Sequence, residues 1–145
     1  MISVCIATYN GEKYIKRQLQ SILIQLDDCD EVIVSDDGSS DGTLNIINDI
    51  RDPRIKIVEG PKKGAPVSNF ENAIKHSHGE YIFLSDQDDV WLPQKIERAW
   101  QHLKDTDGVP TLYCARQQLV NETLHPIALS KRCLRPPSFQ NALTE

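Results

Sequence analysis

Apolar residues fall alternately into short continuous runs and spaced stripes along this chain. Residues 2–7 (ISVCIA) form a run rich in β-branched side chains, which predicts a buried strand. Tyr9, Asn10 and Gly11 break the run. Tyr14, Ile15, Leu19, Ile22, Leu23 and Leu26 then recur at helical spacing, with Asn10 expected as the helix cap. Residues 31–35 (EVIVS) predict a second strand, and residues 36–42 (DDGSSDG) are turn chemistry throughout. A second helix follows, with Leu44, Ile47 and Ile50 inward and Pro53 as its stop. Residues 55–59 predict a third strand, 60–66 a loop carrying Lys62 and Lys63, 67–77 a third helix and 81–85 a fourth strand. Pro93 suits the first turn of a fourth helix, whose buried stripe is Ile96, Ala99, Trp100 and Leu103. Asp107 and Gly108 then turn the chain into a fifth strand, residues 111–115.

Alternation of this regularity predicts an α/β fold, a mostly parallel sheet flanked by helices with right-handed crossovers. Such sheets bind ligands beyond the carboxyl ends of their strands. Three polar clusters, residues 8–10, 36–40 and 86–89, all fall there. After Ala115 the pattern weakens. Residues 118–127 read as a hairpin around Asn121 and Glu122, residues 132–137 are basic and proline-containing, and residues 139–145 look like the first turn of a helix. The chain is expected to be a piece of a longer protein.

Charge and cysteine usage narrow the function. The 145 residues carry a net charge of −5 at pH 7, which argues against a broad nucleic-acid surface. The acids cluster at 27–30, 36–41 and 86–89, and such clusters suit a cation. No stretch is long enough to span a membrane, and the N-terminus lacks a signal-peptide pattern. Cys5, Cys29, Cys114 and Cys133 have neither zinc-site nor redox spacing, which fits ordinary thiols in a reducing cytoplasm. His76, His78, His102 and His125 read as surface residues.

Asp86 and Asp88 flank Gln87, so on an extended segment both carboxylates face one way. Paired carboxylates either repel or hold a hard cation, and Mg²⁺ or Mn²⁺ takes oxygen ligands while leaving positions for phosphates. The competing reading is a solvated loop in which Asp88 or Asp89 caps the helix near Pro93. One of Asp36 and Asp37 can accept a hydrogen bond from the ring N–H of a uracil or thymine, with Gly38 allowing close approach. The alternative is a plain turn capped by Asp41 or Ser39, and both can hold because Asp36 and Asp37 should point to opposite sides. Tyr9 can stack on a base or pack on the first helix. Lys62 and Lys63 can meet phosphates or stay solvated.

Three ordered motifs carry a resemblance: SVCIATYN at 3–10, VIVSDDGSSDGT at 32–43 and GEYIFLSDQDDVWLP at 79–93. In that order and spacing they resemble family 2 glycosyltransferases, and DQDDVW is most similar to a rhamnosyltransferase-like branch that builds bacterial surface polysaccharides. The match runs from about residue 3 to 103. The resemblance implies a GT-A fold, a UDP- or dTDP-linked sugar donor, Mg²⁺ or Mn²⁺, inversion at the anomeric carbon and a saccharide or lipid-linked acceptor. By position, Ala7, Thr8 and the Tyr9 ring would contact the base, and Asp37, beside Asp36, would read the ring N–H. Asp86 would lie near the ribose, sugar and metal, and Asp88 would bind the metal. Residues 1–115 would be the nucleotide-sugar-binding domain, and 116–145 the incomplete start of an acceptor-side region. A lipid-linked acceptor would bring the full-length cytoplasmic protein to the inner face of the membrane.

Two departures limit what carries over. Ser68 precedes Asn69 where many relatives have an arginine, so no phosphate contact is expected from that helix. In the family the general base comes from a later segment, beyond Glu145, and Asp105, Asp107 and Glu122 lack a matching context. This chain is therefore expected to bind donor but to transfer sugar poorly. Competing functions are a metal-dependent phosphoryl-transfer domain, whose first strand should end in an acid rather than Ala7-Thr8-Tyr9, and a nucleotidyltransferase, which needs more than Gly11 in its first loop. A non-catalytic nucleotide- or carbohydrate-binding module would use the same binding residues.

Overall fold

The computed structural model describes residues 1–106 and 109–131. Four strands, β1 (Ile2–Thr8), β2 (Glu31–Asp36), β3 (Ile55–Glu59) and β4 (Tyr81–Asp86), form one sheet in the order β3-β2-β1-β4. Every pairing is parallel. Helices α1 (Ile15–Leu23), α2 (Thr43–Ile50) and α3 (Pro66–Lys75) are the intervening crossovers. The chain divides into two compact units at Lys95 and Ile96, earlier than the sequence suggests.

The two central strands are the apolar runs. Val4, Cys5 and Ile6 of β1 and Val32, Ile33 and Val34 of β2 are fully buried, as strands covered on both faces must be. Each such aliphatic side chain contributes about 1.5–3 kcal/mol through removal from water. α1 buries Ile15, Leu19 and Ile22, while α3 packs on β1 and β2 and places Ala73 against Cys5 and Ile33. Burial pushes the Cys5 thiol up to about 11, which makes it inert. Register then levels the carboxyl ends: Thr8 lies beside Asp36 and Ala7 beside Asp86.

A polar strut holds the opposite edge of the sheet. The Glu31 carboxylate is buried and accepts from Ser3 Oγ at 2.7 Å, His78 N–H at 2.6 Å and Lys56 Nζ at 2.7 Å. One carboxylate thereby joins the starts of β1, β2 and β3 to the turn entering β4.

Several local expectations are corrected. Asn10 does not cap α1. It sits at φ 50°, its side chain accepts from Ser40 N–H at 2.9 Å, and the helix starts only at Ile15 after a turn closed on the Gly11 carbonyl. At α2, Asp41 rather than Ser39 receives the first helical N–H, from Thr43 at 3.0 Å, because Ser39 is held by Asp36. Pro93 lies outside α4 (Lys95–Leu103): Gln94 has a left-handed backbone at φ 67°, and Lys95 N–H donates to Leu92 O, so the helix cannot begin earlier.

In the second unit, α4 buries Ala99 but leaves Trp100 44% exposed, so the expected four-residue stripe is narrower. Residues 111–115 form no strand. No described strand pairs with their backbone, and Leu112 is exposed. The hairpin is present as β5 (Gln118–Val120) and β6 (Pro126–Leu129), antiparallel, with Asn121 Oδ1 accepting from Thr123 and His125 N–H in the turn. His102 stacks on Tyr113 with ring centroids 5.3 Å apart. The expected turn at 107–108 and the expectations for residues 132–145 lie outside the described residues. Among the described residues no helix is long and apolar enough to cross a membrane.

Candidate functional site

The site is assembled where β1, β2 and β4 end. The carbonyl of Thr8, the last residue of β1, accepts Asp37 N–H at 2.9 Å and Asn69 Nδ2 at 3.2 Å, which draws the end of β2 and helix α3 to one point. From the other side the Gln87 side chain crosses to β1. Its Oε1 accepts from Thr8 Oγ1 at 2.7 Å and Tyr9 N–H at 3.0 Å, and its Nε2 donates to Tyr9 O at 3.2 Å. The residue that reads in sequence as a spacer between two acids is thus the tie between the first and last strands.

Asp36 and Asp37 do point to different partners, as strand alternation requires. Asp36 shapes its own loop: Oδ2 accepts from Gly38 N–H at 3.2 Å and Ser39 N–H at 2.9 Å, and Oδ1 from Ser39 Oγ at 2.5 Å. Gly38 makes this turn at φ 93°, where a side chain would be strained. Asp37 reaches the other way, accepting from Lys62 N–H at 2.5 Å and Gly64 N–H at 2.8 Å. Each of its oxygens keeps a second lone pair.

These contacts leave a cleft of about 320 Å³. From the strand ends it is lined by Ala7, Thr8, Tyr9, Asp37, Asp86, Gln87 and Asp88. Gly64, Ala65, Pro66 and Asn69 complete it from the loop before α3 and its first turn. Of the seven donor- and metal-binding positions that the resemblance implies, Ala7, Thr8, Tyr9, Asp37, Asp86 and Asp88 line it and Asp36 does not. Tyr9 is 56% exposed. Lys62, Lys63 and Ser68 do not line the cleft; Lys62 Nζ pairs with Glu59 at 2.6 Å and Ser68 Oγ bonds Ala65 O. Gln87, Asn69 and the 64–66 segment were missed in the sequence. Gln87 carried a signal, as a neutral amide at the centre of an acidic strand end.

The electrostatics favour a cation. Burial pushes the Asp86 carboxyl up, and the charge of Asp88 adds to that shift. A divalent ion beside the pair would relieve both effects. Among the described residues no three His, Cys, Asp or Glu side chains converge on one point. Two carboxylates fit Mg²⁺ or Mn²⁺ only as a partial set, with phosphate and water oxygens supplying the rest.

Comparison with known proteins finds relatives of this sequence and fold. The sequence profile of Glycosyl transferase family 2 matches residues 3–139. The dTDP-rhamnosyl transferase RfbG of Shigella flexneri is 41% identical over 100 residues, covering 64% of this chain and 35% of that protein. The UDP-Glc:alpha-D-GlcNAc-diphosphoundecaprenol beta-1,3-glucosyltransferase WfaP of Escherichia coli is 34% identical over 109 residues, 75% of this chain and 43% of that one. Among solved structures, S. aureus TarS 1-349 superposes with a TM-score of 0.64 at 28% identity, over 82% of this chain and 41% of its own. The mannosyltransferase PcManGT of Pyrobaculum calidifontis, in complex with GDP-Man and Mn²⁺, also gives 0.64, at 26% identity over 72% of this chain and 32% of its own. The chain thus spans well under half the length of these relatives.

Proposed function

Because the chain belongs to glycosyl transferase family 2 and has the GT-A type of fold, we propose that its cleft binds a nucleoside diphosphate sugar together with a divalent cation. In the full-length protein that donor sugar is passed, with inversion, to a saccharide or lipid-linked acceptor in bacterial surface polysaccharide synthesis. The protein then works on the cytoplasmic side, at the inner face of the membrane when the acceptor is lipid-linked. The observation that carries this reading is the convergence of Tyr9, Asp37, Asp86 and Asp88 on one cleft.

Each group has a role that its chemistry fits. The Tyr9 ring stacks on the base, with the backbone at Ala7 and Thr8 alongside it. Asp37 accepts the ring N–H through a lone pair left free by Lys62 and Gly64. Asp36 acts one step back, holding the turn that presents Asp37. Asp86 and Asp88 hold Mg²⁺ or Mn²⁺ by carboxylate oxygens, Asp86 also lying near the ribose or sugar. The cation, when bound, stabilises the charge that collects on the leaving diphosphate. Relatives named for dTDP- and UDP-linked donors and a neighbour in complex with Mn²⁺ support both halves of the assignment.

Variant titrations test it. Asp37→Ala should weaken UDP and dTDP by about 10- to 100-fold, the value of a hydrogen bond to a charged acceptor. CDP should respond less, since cytosine has no N–H at the corresponding ring position. Asp88→Ala should remove the Mn²⁺-dependent increment and leave metal-free affinity intact. If both variants bind UDP and Mn²⁺ as the unaltered chain does, the assignment fails.

A further inference from the structure

The acidic segment 86–90 leaves the sheet at β4 and is closed at its base. Ser85, the last residue before it, and Trp91, the first after it, are joined directly: the indole N–H of Trp91 donates to Ser85 Oγ at 3.1 Å. Trp91 is 4% exposed. Its ring lies tilted on Phe83 with centroids 5.7 Å apart, and Lys95 Nζ sits 4.3 Å from the ring centroid. Its backbone N–H donates to Ser21 Oγ at 2.9 Å, and Ser21 Oγ donates to Gln18 O at 2.8 Å. The Gln18 side chain closes the circuit by donating Nε2 to the same Ser85 hydroxyl. That hydroxyl turns its own proton toward Asp86 O at 3.4 Å.

Gln18 shows what the circuit is for. It is fully buried, and its Oε1 has no hydrogen-bond partner. A buried acceptor left unpaired is a net loss that an apolar side chain of similar shape would avoid. The gain that offsets it is the contact with Ser85, one residue from Asp86. Neither Gln18, Ser85 nor Trp91 lines the cleft, so none of them touches a ligand there.

We propose that Trp91, Ser85 and Gln18 form a clasp of positioning residues that fixes where Asp86 and Asp88 stand, and thereby sets the cation-dependent part of nucleotide binding. The inference rests on the donor-site reading above. Two like charges on a five-residue loop separate when nothing restrains them. The clasp closes the loop on the hydroxyl beside its first acid and anchors it to α1, so the pair is held before a cation arrives. Residues of this kind, removed from the metal by one contact, commonly change its affinity by about 10- to 100-fold.

The test pairs Ser85→Ala with Ser85→Thr and adds Trp91→Phe, which keeps an aromatic ring and removes the N–H. Two quantities are measured: backbone ¹⁵N order parameters of 86–90 in the ligand-free protein, and the ratio of UDP affinities with and without Mn²⁺. In Ser85→Ala and Trp91→Phe the order parameters should fall from the rigid range to below roughly 0.6. The Mn²⁺ ratio should drop about tenfold, with metal-free UDP affinity and the order of β1 and β2 retained. Ser85→Thr, which keeps a hydroxyl, should restore both. A loop as ordered in Ser85→Ala as in the unaltered chain overturns the clasp, and so does loosening spread equally through β1 and β2. Should Trp91→Phe fail to fold, the serine pair alone decides. If the unaltered chain binds no UDP, the donor reading has failed, whereas the order parameters still report on the clasp by themselves.

Discussion

Gly60→Ala is expected to lower the unfolding free energy by about 3 kcal/mol, at the upper end of what overpacking usually costs. A Cβ at this position would stand 2.6 Å from the Asp36 carbonyl oxygen and 2.8 Å from Asn69 Oδ1. The first is backbone held in the sheet and cannot swing away. The Gly60 N–H also donates to that carbonyl at 2.7 Å, so the bond between β2 and the loop must lengthen or break. Because the loop that follows supplies Lys62 N–H and Gly64 N–H to Asp37, its displacement should weaken nucleotide binding as well. Gly64→Ala is the control. Gly64 has φ 63° but nothing within 4 Å of an added Cβ, so only backbone strain of about 1 kcal/mol is expected. Urea unfolding of the two variants side by side checks the difference; equal effects would mean that the close approach at Gly60 is not a constraint.

The second large effect is at Glu31. Truncation to alanine strands the Ser3 hydroxyl and the His78 N–H and removes the partner of Lys56, and about 2–4 kcal/mol of stability should go with it. The pH dependence follows from the same contacts. Burial works against the charged form, but hydrogen bonds from Lys56, Ser3 and His78 N–H and the Lys56 charge outweigh it and hold the carboxyl at about 2, against an ordinary 4.5. The folded state therefore favours the carboxylate. Its contribution is complete above about pH 4.5 and is lost as the pH falls toward 2, amounting to on the order of 2–3 kcal/mol once screening at the half-exposed Lys56 is allowed for. In Glu31→Gln that portion of the acid destabilisation should be missing, which denaturation midpoints between pH 5 and 2.5 would reveal. An unchanged slope would mean that Glu31 titrates normally.

How far the sequence reaches depends on whether an interaction is local. The strands were legible because central parallel strands are continuous apolar runs, and β1 and β2 are among the clearest in the chain. The cleft was legible because parallel strand ends collect polar residues, and Tyr9, Asp37, Asp86 and Asp88 stand where those ends converge. What escaped was long-range pairing. Gln87 works through residues almost eighty positions away, and Gln18 through one 67 away, so neither shows a local pattern. Asn10 was misread for a related reason: a residue that suits a helix cap also suits a left-handed turn, and its tie to Ser40 decided between them. Residues 111–115 have strand-forming side chains but no neighbouring strand among the described residues, and a strand is defined by its partner.

The most direct test of the donor-site account is calorimetric titration of the unaltered chain with UDP and dTDP, first with Mn²⁺ and then after its removal with a chelator. The account predicts saturable binding of a pyrimidine diphosphate at a single site, substantially tighter with Mn²⁺ and weakened when the metal is withdrawn. Absence of binding for either nucleotide, with metal and without, would contradict it and return Asp37, Asp86 and Asp88 to a purely structural role.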